Sequence, residues 1–275
     1  MKKSLLVFYF LIFLFQQSQS QSKVYEGVLK DINSKEALAY VNIGVLNKNS
    51  GTVSDVNGQF QLVLDEKYDN EILKISIIGY KSIIYNVADF KKAITENKDF
   101  FLEKEVAELK EIIISNKKTQ TRNFGNVLEK KTVSAGFVNN VLGNEIGMII
   151  KIKKKPTFIK AFHAIVDYNH YKEFKFRLNF YDLKDGLPNN SILQESIIVT
   201  STIKKGKLSV DLDEYDIVVQ DDFFVAIELI EGLGEGGLHF LADYSGNQII
   251  SRAASQGKWK KQEDVSFGFS VTAKY

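Results

Sequence analysis

The ten residues from Gly51 to Phe60, Gly-Thr-Val-Ser-Asp-Val-Asn-Gly-Gln-Phe, constrain the fold of this chain more than any other stretch. Asn57-Gly58 is a hairpin signal: both central residues of a type I′ turn need positive φ, which Asn tolerates and Gly adopts freely. Ahead of it Val41, Ile43 and Val45 alternate with Tyr40, Asn42 and Gly44. Behind it Phe60, Leu62 and Leu64 alternate with Gln59, Gln61 and Val63. A period of two on both sides means two half-buried strands. The Asp55 carboxylate is placed to cap the turn. Asp55-x-Asn57-Gly58 also matches part of a calcium loop, but the remaining ligands and the closing Glu are missing. Asp55, Asn57 and Gly58 are therefore read as a structural turn.

The flanking sequence extends the same pattern. Val24 to Leu29 opens a strand, and Asn33-Ser34 makes a turn. Ile72 to Ile78 is apolar except for Lys74 and Ser76, as in a central strand, and Gly79 is a second turn residue. Asp89 to Asn97 is a polar stretch with helical character, and Phe100 to Leu102 closes the unit. Gly27, Asp31, the block Gly51-Thr52-x-Ser54-Asp55-x-Asn57-Gly58-x-Phe60, and Ile77-Ile78-Gly79-Tyr80 together resemble the carboxypeptidase-regulatory-like domain over residues 23 to 103. That resemblance implies a seven-stranded transthyretin-like β-sandwich, in a family whose domains are usually non-catalytic appendages to exported peptidases or outer-membrane transporters. Leu102-Glu103 and Leu109 to Ile114 resemble the lead-in that joins this domain to the plug of TonB-dependent transporters. The plug motifs do not follow, and too few residues remain for a large transporter barrel.

Residues 1–20 read as a signal peptide. Lys2 and Lys3 precede an apolar run from Leu5 to Phe15, and Ser18-x-Ser20 is a small-x-small cleavage site. The run is too short for a bilayer span, which needs about 20 residues. The chain has no cysteine, so no disulfide, thiolate nucleophile or Cys metal site is available. The formal charge of +2 falls to 0 once Lys2 and Lys3 are lost, which gives no electrostatic case for nucleic-acid binding. Only 2 prolines against 20 Phe and 12 Tyr, with the alternation, point to an all-β protein.

Residues 21–103 form the first domain, and 104–144 a linker with one strand at Ile112–Ile114. From Glu145 to Tyr275 the alternation returns. Phe174, Phe176, Leu178 and Phe180 oppose Lys175, Arg177, Asn179 and Tyr181. Phe223, Val225, Ile227 and Leu229 make another row, as do Val265 to Tyr275. Eight or nine strands in residues 145–275 suggest a second, jelly-roll-like β-sandwich. This half resembles second domains that follow regulatory-like domains in proteins of unassigned role.

Several constellations invite a chemical reading. His170-x-x-Glu173 matches the zinc-binding HxxE of metallocarboxypeptidases, but the only later histidine is His239 in a strand-like context, and the region is too short and too β-rich for that peptidase fold. His163 and Asp167 share a strand face if Ile159, Ala161 and Ile165 do. Glu228, Glu231 and Glu235, with Asp221 and Asp222 upstream, could supply oxygens to Ca²⁺, but no loop motif fixes them and a charged loop is the favoured reading. Lys151 to Lys155 reads as a solvated edge, with contact to acidic lipid or glycan as the alternative. Tyr168, Tyr171 and Trp259, at strand ends or in loops, are the candidate ligand contacts, since rim aromatics stack on sugar rings; packing on their own neighbours is the favoured alternative, because alternation alone does not expose them. No Gly-x-Ser-x-Gly elbow, HExxH, Walker loop or dinucleotide fingerprint occurs, so neither catalysis nor a cofactor or metal is expected.

The expectation is an exported, non-enzymatic binding or interaction protein of a Gram-negative envelope, periplasmic or at the surface, with a glycan, peptide or envelope protein as partner. Membrane association is compatible with it, and the oligomeric state is left open. The alternatives are a small outer-membrane β-barrel in the C-terminal half, and a zinc-dependent hydrolase using His170 and Glu173.

Overall fold

The computed structural model describes residues 22–105, 120–128, 133–137, 140–244 and 248–275. The signal-like residues 1–20, the Ile112–Ile114 strand, Lys117, Lys118, Lys130, Lys131 and Gly246 lie outside them.

The first unit contains seven strands and one helix: β1 (Ser22–Asp31), β2 (Asn42–Val45), β3 (Gly51–Val53), β4 (Gln59–Asp65), β5 (Ile72–Ser76), β6 (Ile83–Asn86), α1 (Val87–Glu96) and β7 (Asp99–Leu102). They form two sheets, β4-β1-β7 and β3-β2-β5-β6. Val41, Ile43, Val45, Leu73, Ile75, Leu62, Leu64 and Phe60 fill the core, as the period of two requires. Helix α1 starts where the Asn86 side chain accepts from the Ala88 N–H, and it buries Val87, Phe90 and Ile94 against that core.

The turn at Asp55 to Gly58 differs from the type I′ expectation. Gly58 has φ of 72°, whereas Asn57 is not among the positive-φ residues. The Gly58 N–H donates to the Asp55 carbonyl at 3.1 Å and the Asp55 N–H to the Gln59 carbonyl at 2.8 Å. This is a type I turn followed by a left-handed glycine. The arms also diverge: β3 pairs with β2, while β4 pairs with β1 in the other sheet. The chain therefore crosses between sheets here.

The second unit supplies β8 (Thr121–Gly125), β9 (Val133–Phe137), β10 (Glu145–Ile150), β11 (Thr157–Asn169), β12 (Phe174–Lys184), β13 (Leu187–Ser191), β14 (Ile197–Ser201) and β15 (Gly206–Asp211). It continues with β16 (Val218–Val219), β17 (Phe223–Leu229), β18 (Leu238–Asp243), β19 (Ile249–Arg252), β20 (Lys260–Gln262), β21 (Ser266–Phe267) and β22 (Phe269–Lys274). Seven of them form a sheet with the path β13-β12-β17-β10-β19-β20, to which β14 adds beside β12. Eight form another with the path β21-β18-β11-β22-β8, to which β15, β16 and β9 add. β8 and β9 fall in the stretch read as linker. They pair with β22 and β18, so the second sandwich starts upstream of Glu145.

The strands β8–β22 make two separate sheets around a phenylalanine-rich core, and not the closed barrel weighed as an alternative, whose interior would be polar. The expected shared face on β11 is interrupted. Its pairing with β22 slips between Ile159 and Ala161, so Ile159 points into the core together with Phe162, Ala164 and Val166. His163 falls on the other face, where its ring nitrogens meet the Ser209 hydroxyl at 3.0 Å and the Thr272 hydroxyl at 2.8 Å.

Candidate functional site

Strand β17, Phe-Phe-Val-Ala-Ile-Glu-Leu, is buried at every position. One face looks into the core. The other carries Phe224, Ala226 and Glu228 and is also covered. Across that outer face runs one row of charges: Arg177 on β12 is in register with Glu228 on β17, Glu228 with Glu145 on β10, and Glu145 with Arg252 on β19. All four residues are buried. Two glutamates opposite one another would repel, and the neighbouring groups resolve this. Arg177 donates to Glu228 through Nε at 2.9 Å and Nη2 at 3.1 Å. Arg252 donates to Glu145 through Nε at 2.8 Å. The Asn179 amide donates to both carboxylates, at 2.9 Å to Glu145 and 2.7 Å to Glu228.

The two acids are poised differently. Burial pushes the Glu145 carboxyl above its ordinary range, against the pull of Arg252, and the Glu228 charge adds to the rise. Burial also acts upward on Glu228, but Arg177 outweighs it and holds that carboxyl below its ordinary range. Burial works against both guanidinium charges, yet the glutamates keep Arg177 and Arg252 more firmly protonated than usual. Tyr181, buried beside Glu145, titrates well above a free phenol.

The first sandwich covers this row. Tyr40, Asn42 and Gly44 alternate outward from β2, and outward means toward the second sandwich. Arg177 Nη1 donates to the Tyr40 carbonyl at 2.8 Å, and Nη2 donates to the Asn42 side-chain oxygen. Lys175 reaches the Tyr40 hydroxyl at 3.1 Å and Glu231 at 2.6 Å. Tyr40 has φ of 59°, a left-handed conformation costly for an aromatic residue. Gly44 and Gly51, register partners on β2 and β3, receive the Ser255 carbonyl, which a Cβ at either position would strike. The Asn47 N–H donates to the Gln256 carbonyl at 2.9 Å, and the Gln256 amide to Ser76 Oγ at 2.9 Å.

Beside this contact the two sandwiches leave a cleft of about 410 Å³. Arg177, Asn179, Tyr181 and Arg252 form its floor, and the two glutamates lie beneath them. Asn42, Lys74 and Ser76 line it from the first sandwich; Asn189, Asn190 and Gln194 from the second. A larger groove of about 800 Å³ is walled by the Asp55 to Phe60 segment and Ile230 to Gly232. Asp55 Oδ1 already accepts from the Asn57 and Gln59 N–H groups, so that wall is turn structure more than open chemistry.

The residues singled out in the sequence do not assemble. Tyr171 is buried in the core and its hydroxyl donates to Asn140 at 2.7 Å. Tyr168 stacks with His170 at 4.8 Å and His239 at 4.5 Å. Trp259 lies on the outer face of the other sheet, packed edge-on to Phe224 and under Arg252, 4.6 Å from the ring. His170 and Glu173 are both exposed, and no cluster of three metal-ligating side chains occurs among the described residues. Asp221 and Asp222 precede β17 while Glu231 and Glu235 follow it. Seven strand residues at about 3.3 Å each separate the two groups, so they cannot share a cation. Gly79, at φ of 84°, turns the chain so that the Tyr80 hydroxyl donates to Asp31 at 3.0 Å. Asp31 in turn caps the Asn33 and Ser34 N–H groups, and these bonds lower its pKa. These signature positions thus build the sandwich itself.

The charged row was not anticipated, although a signal for it exists. Strand β17 is apolar on both faces except for one Glu, which demands a covering layer and a buried partner.

No curated protein matches the chain. Two solved structures of infectious bursal disease virus, one of the Gx strain and one of the VP2 subviral particle, are similar at 8% and 12% identity with TM-scores of 0.28 and 0.26. They cover 92% and 93% of this chain, which spans 62% of each of theirs, and at such scores they carry no argument. Residues 25–114 match the model of the CarboxypepD_reg-like domain, so the first sandwich is similar to a non-catalytic β-sandwich domain of that family.

Proposed function

We propose that this protein is an exported, non-enzymatic binding protein of a bacterial envelope, and that its ligand sits in the cleft between the two sandwiches. The cleft carries this reading: both units line it, and its floor is a buried charge row held rigid from both sides. Rigid, convergent polar groups in a concavity are what a binding site requires. The floor favours binding over proton transfer. Arg177 and Arg252 are fixed in ion pairs, and Glu145 and Glu228 do not reach the cleft. The leader-like pattern of residues 1–20 supports the exported setting, and the domain match at residues 25–114 supports a non-catalytic role for the first sandwich.

The test uses envelope fractions of the native host (outer membrane, peptidoglycan and surface polysaccharide) incubated with the purified protein and with Asn189→Trp, which fills the cleft from an exposed wall position. Saturable retention that Asn189→Trp abolishes, with an unchanged melting temperature, is expected. Retention by no fraction, or equal retention of both forms, overturns the reading. N-terminal sequencing of protein from the host should start at Gln21; an intact Met1 start in the cytoplasm overturns export.

A further inference from the structure

We infer that the cleft takes a neutral oligosaccharide; this rests on the binding reading above. Charge comes first. Arg177 and Arg252 are matched by Glu228 and Glu145, and the rest of the lining carries one charge of each sign, Lys74 and Glu105. The site offers no surplus charge to an anion or a cation.

The unengaged groups define the ligand further. Asn189 and Gln194 are exposed and make no side-chain hydrogen bond among the described residues. Asn42 uses its carbonyl on Arg177 and keeps both amide hydrogens. Gln256 uses its amide on Ser76 and keeps its carbonyl. Both donors and acceptors are therefore available on the cleft lining, which suits a ligand whose every hydroxyl both donates and accepts. Tyr80 and Tyr181 also line the cleft, with their hydroxyls engaged by Asp31 and Glu145 and their rings packed on apolar neighbours. A peptide added as an extra strand would be read by strand backbone and apolar pockets; here six side-chain carboxamides outnumber the apolar Ile77, Ile78 and Leu193 on the lining.

The chain carries its own reporter. Trp259 is the only tryptophan, and it touches Arg252 and Tyr181, both in the cleft floor. Neutral gluco-, manno- and xylo-oligosaccharides, acidic uronate oligomers and a random peptide library would each be titrated into the protein. Trp259 fluorescence and side-chain amide NMR shifts would be followed together. We expect saturable binding of at least one neutral series. Asn189→Ala/Gln194→Ala should weaken it about tenfold, as the loss of two hydrogen bonds implies, while Lys92→Met, on the exposed side of α1 and outside the cleft lining, should leave it unchanged. Binding of uronates or peptides alone, weakened by the same double variant, overturns the saccharide assignment and leaves the cleft as a binding site. No ligand weakened by the double variant overturns both.

Discussion

On one side of β12, Phe174, Phe176, Leu178 and Phe180 enter the main core; on the other, Arg177 and Asn179 are buried as well, and reach only the cleft floor. The two faces of the sheet are closed by different physics. The apolar face needs only volume and shape, and many hydrophobic sets of similar size would satisfy it. The charged face is satisfied only when each guanidinium, carboxylate and amide finds its own partner, and two of Arg177's partners belong to the other sandwich. Burial of the first kind drives collapse. Burial of the second kind selects one docking geometry, since any other leaves a charge unpaired away from water.

The contrast can be broken most severely by truncation on either face. Phe176→Ala should cost about 3–5 kcal/mol in denaturant unfolding by leaving a cavity. Glu228→Leu should cost a similar amount, about 3–5 kcal/mol, by stranding Arg177. The faces then diverge. Adding Arg177→Met to Glu228→Leu should recover most of the loss, as a buried pair replaced by apolar groups often does, yet open the contact with Tyr40 and Asn42. Faster proteolysis between the units with near-normal unfolding would show this, and failure to recover stability would mean that the ladder carries the fold as well as the docking.

A smaller effect is expected from the glycine seat. Gly44→Ala forces its Cβ onto the Ser255 carbonyl and should cost about 1–3 kcal/mol as overpacking. Faster hydrogen exchange at the Asn47 N–H, which is held by Gln256, would locate the damage at the contact.

The finest effect is pH dependence. The folded-state pKa of Glu228 is depressed, so its stabilisation is complete above the unfolded value of about 4.3 and is lost as pH falls through the folded value. Glu228→Gln should flatten the acid limb of stability below about pH 4. The folded-state pKa of Glu145 is raised, so its ionisation in the native state opposes stability as pH rises through that value. Glu145→Gln should lessen that decline and be the milder of the two substitutions at neutral pH. Equal effects would mean that the row does not distinguish its two acids.

Much of this was legible in the residues. Alternation placed Ile43, Leu62, Phe176 and Val225 in cores, and the Asp31, Gly58 and Tyr80 block placed the first sandwich. The turn type was misjudged because only Gly58 takes positive φ, a choice made by the strands diverging into two sheets. Tyr171 and Trp259 stay open between rim contact and internal packing in the sequence, because pattern alone does not tell a loop aromatic that folds inward from one that stays out.

Local sequence determined which residues turn away from each core, because a strand's period of two is a property of its own backbone. It did not determine what those residues turn toward. Arg177, Glu228, Glu145 and Arg252 are up to 107 positions apart, and only strand register aligns them in one row. Tyr40, Asn42 and Gly44 read as a solvent face and became an interface, because burying a charge requires partners that the strand bearing it cannot supply.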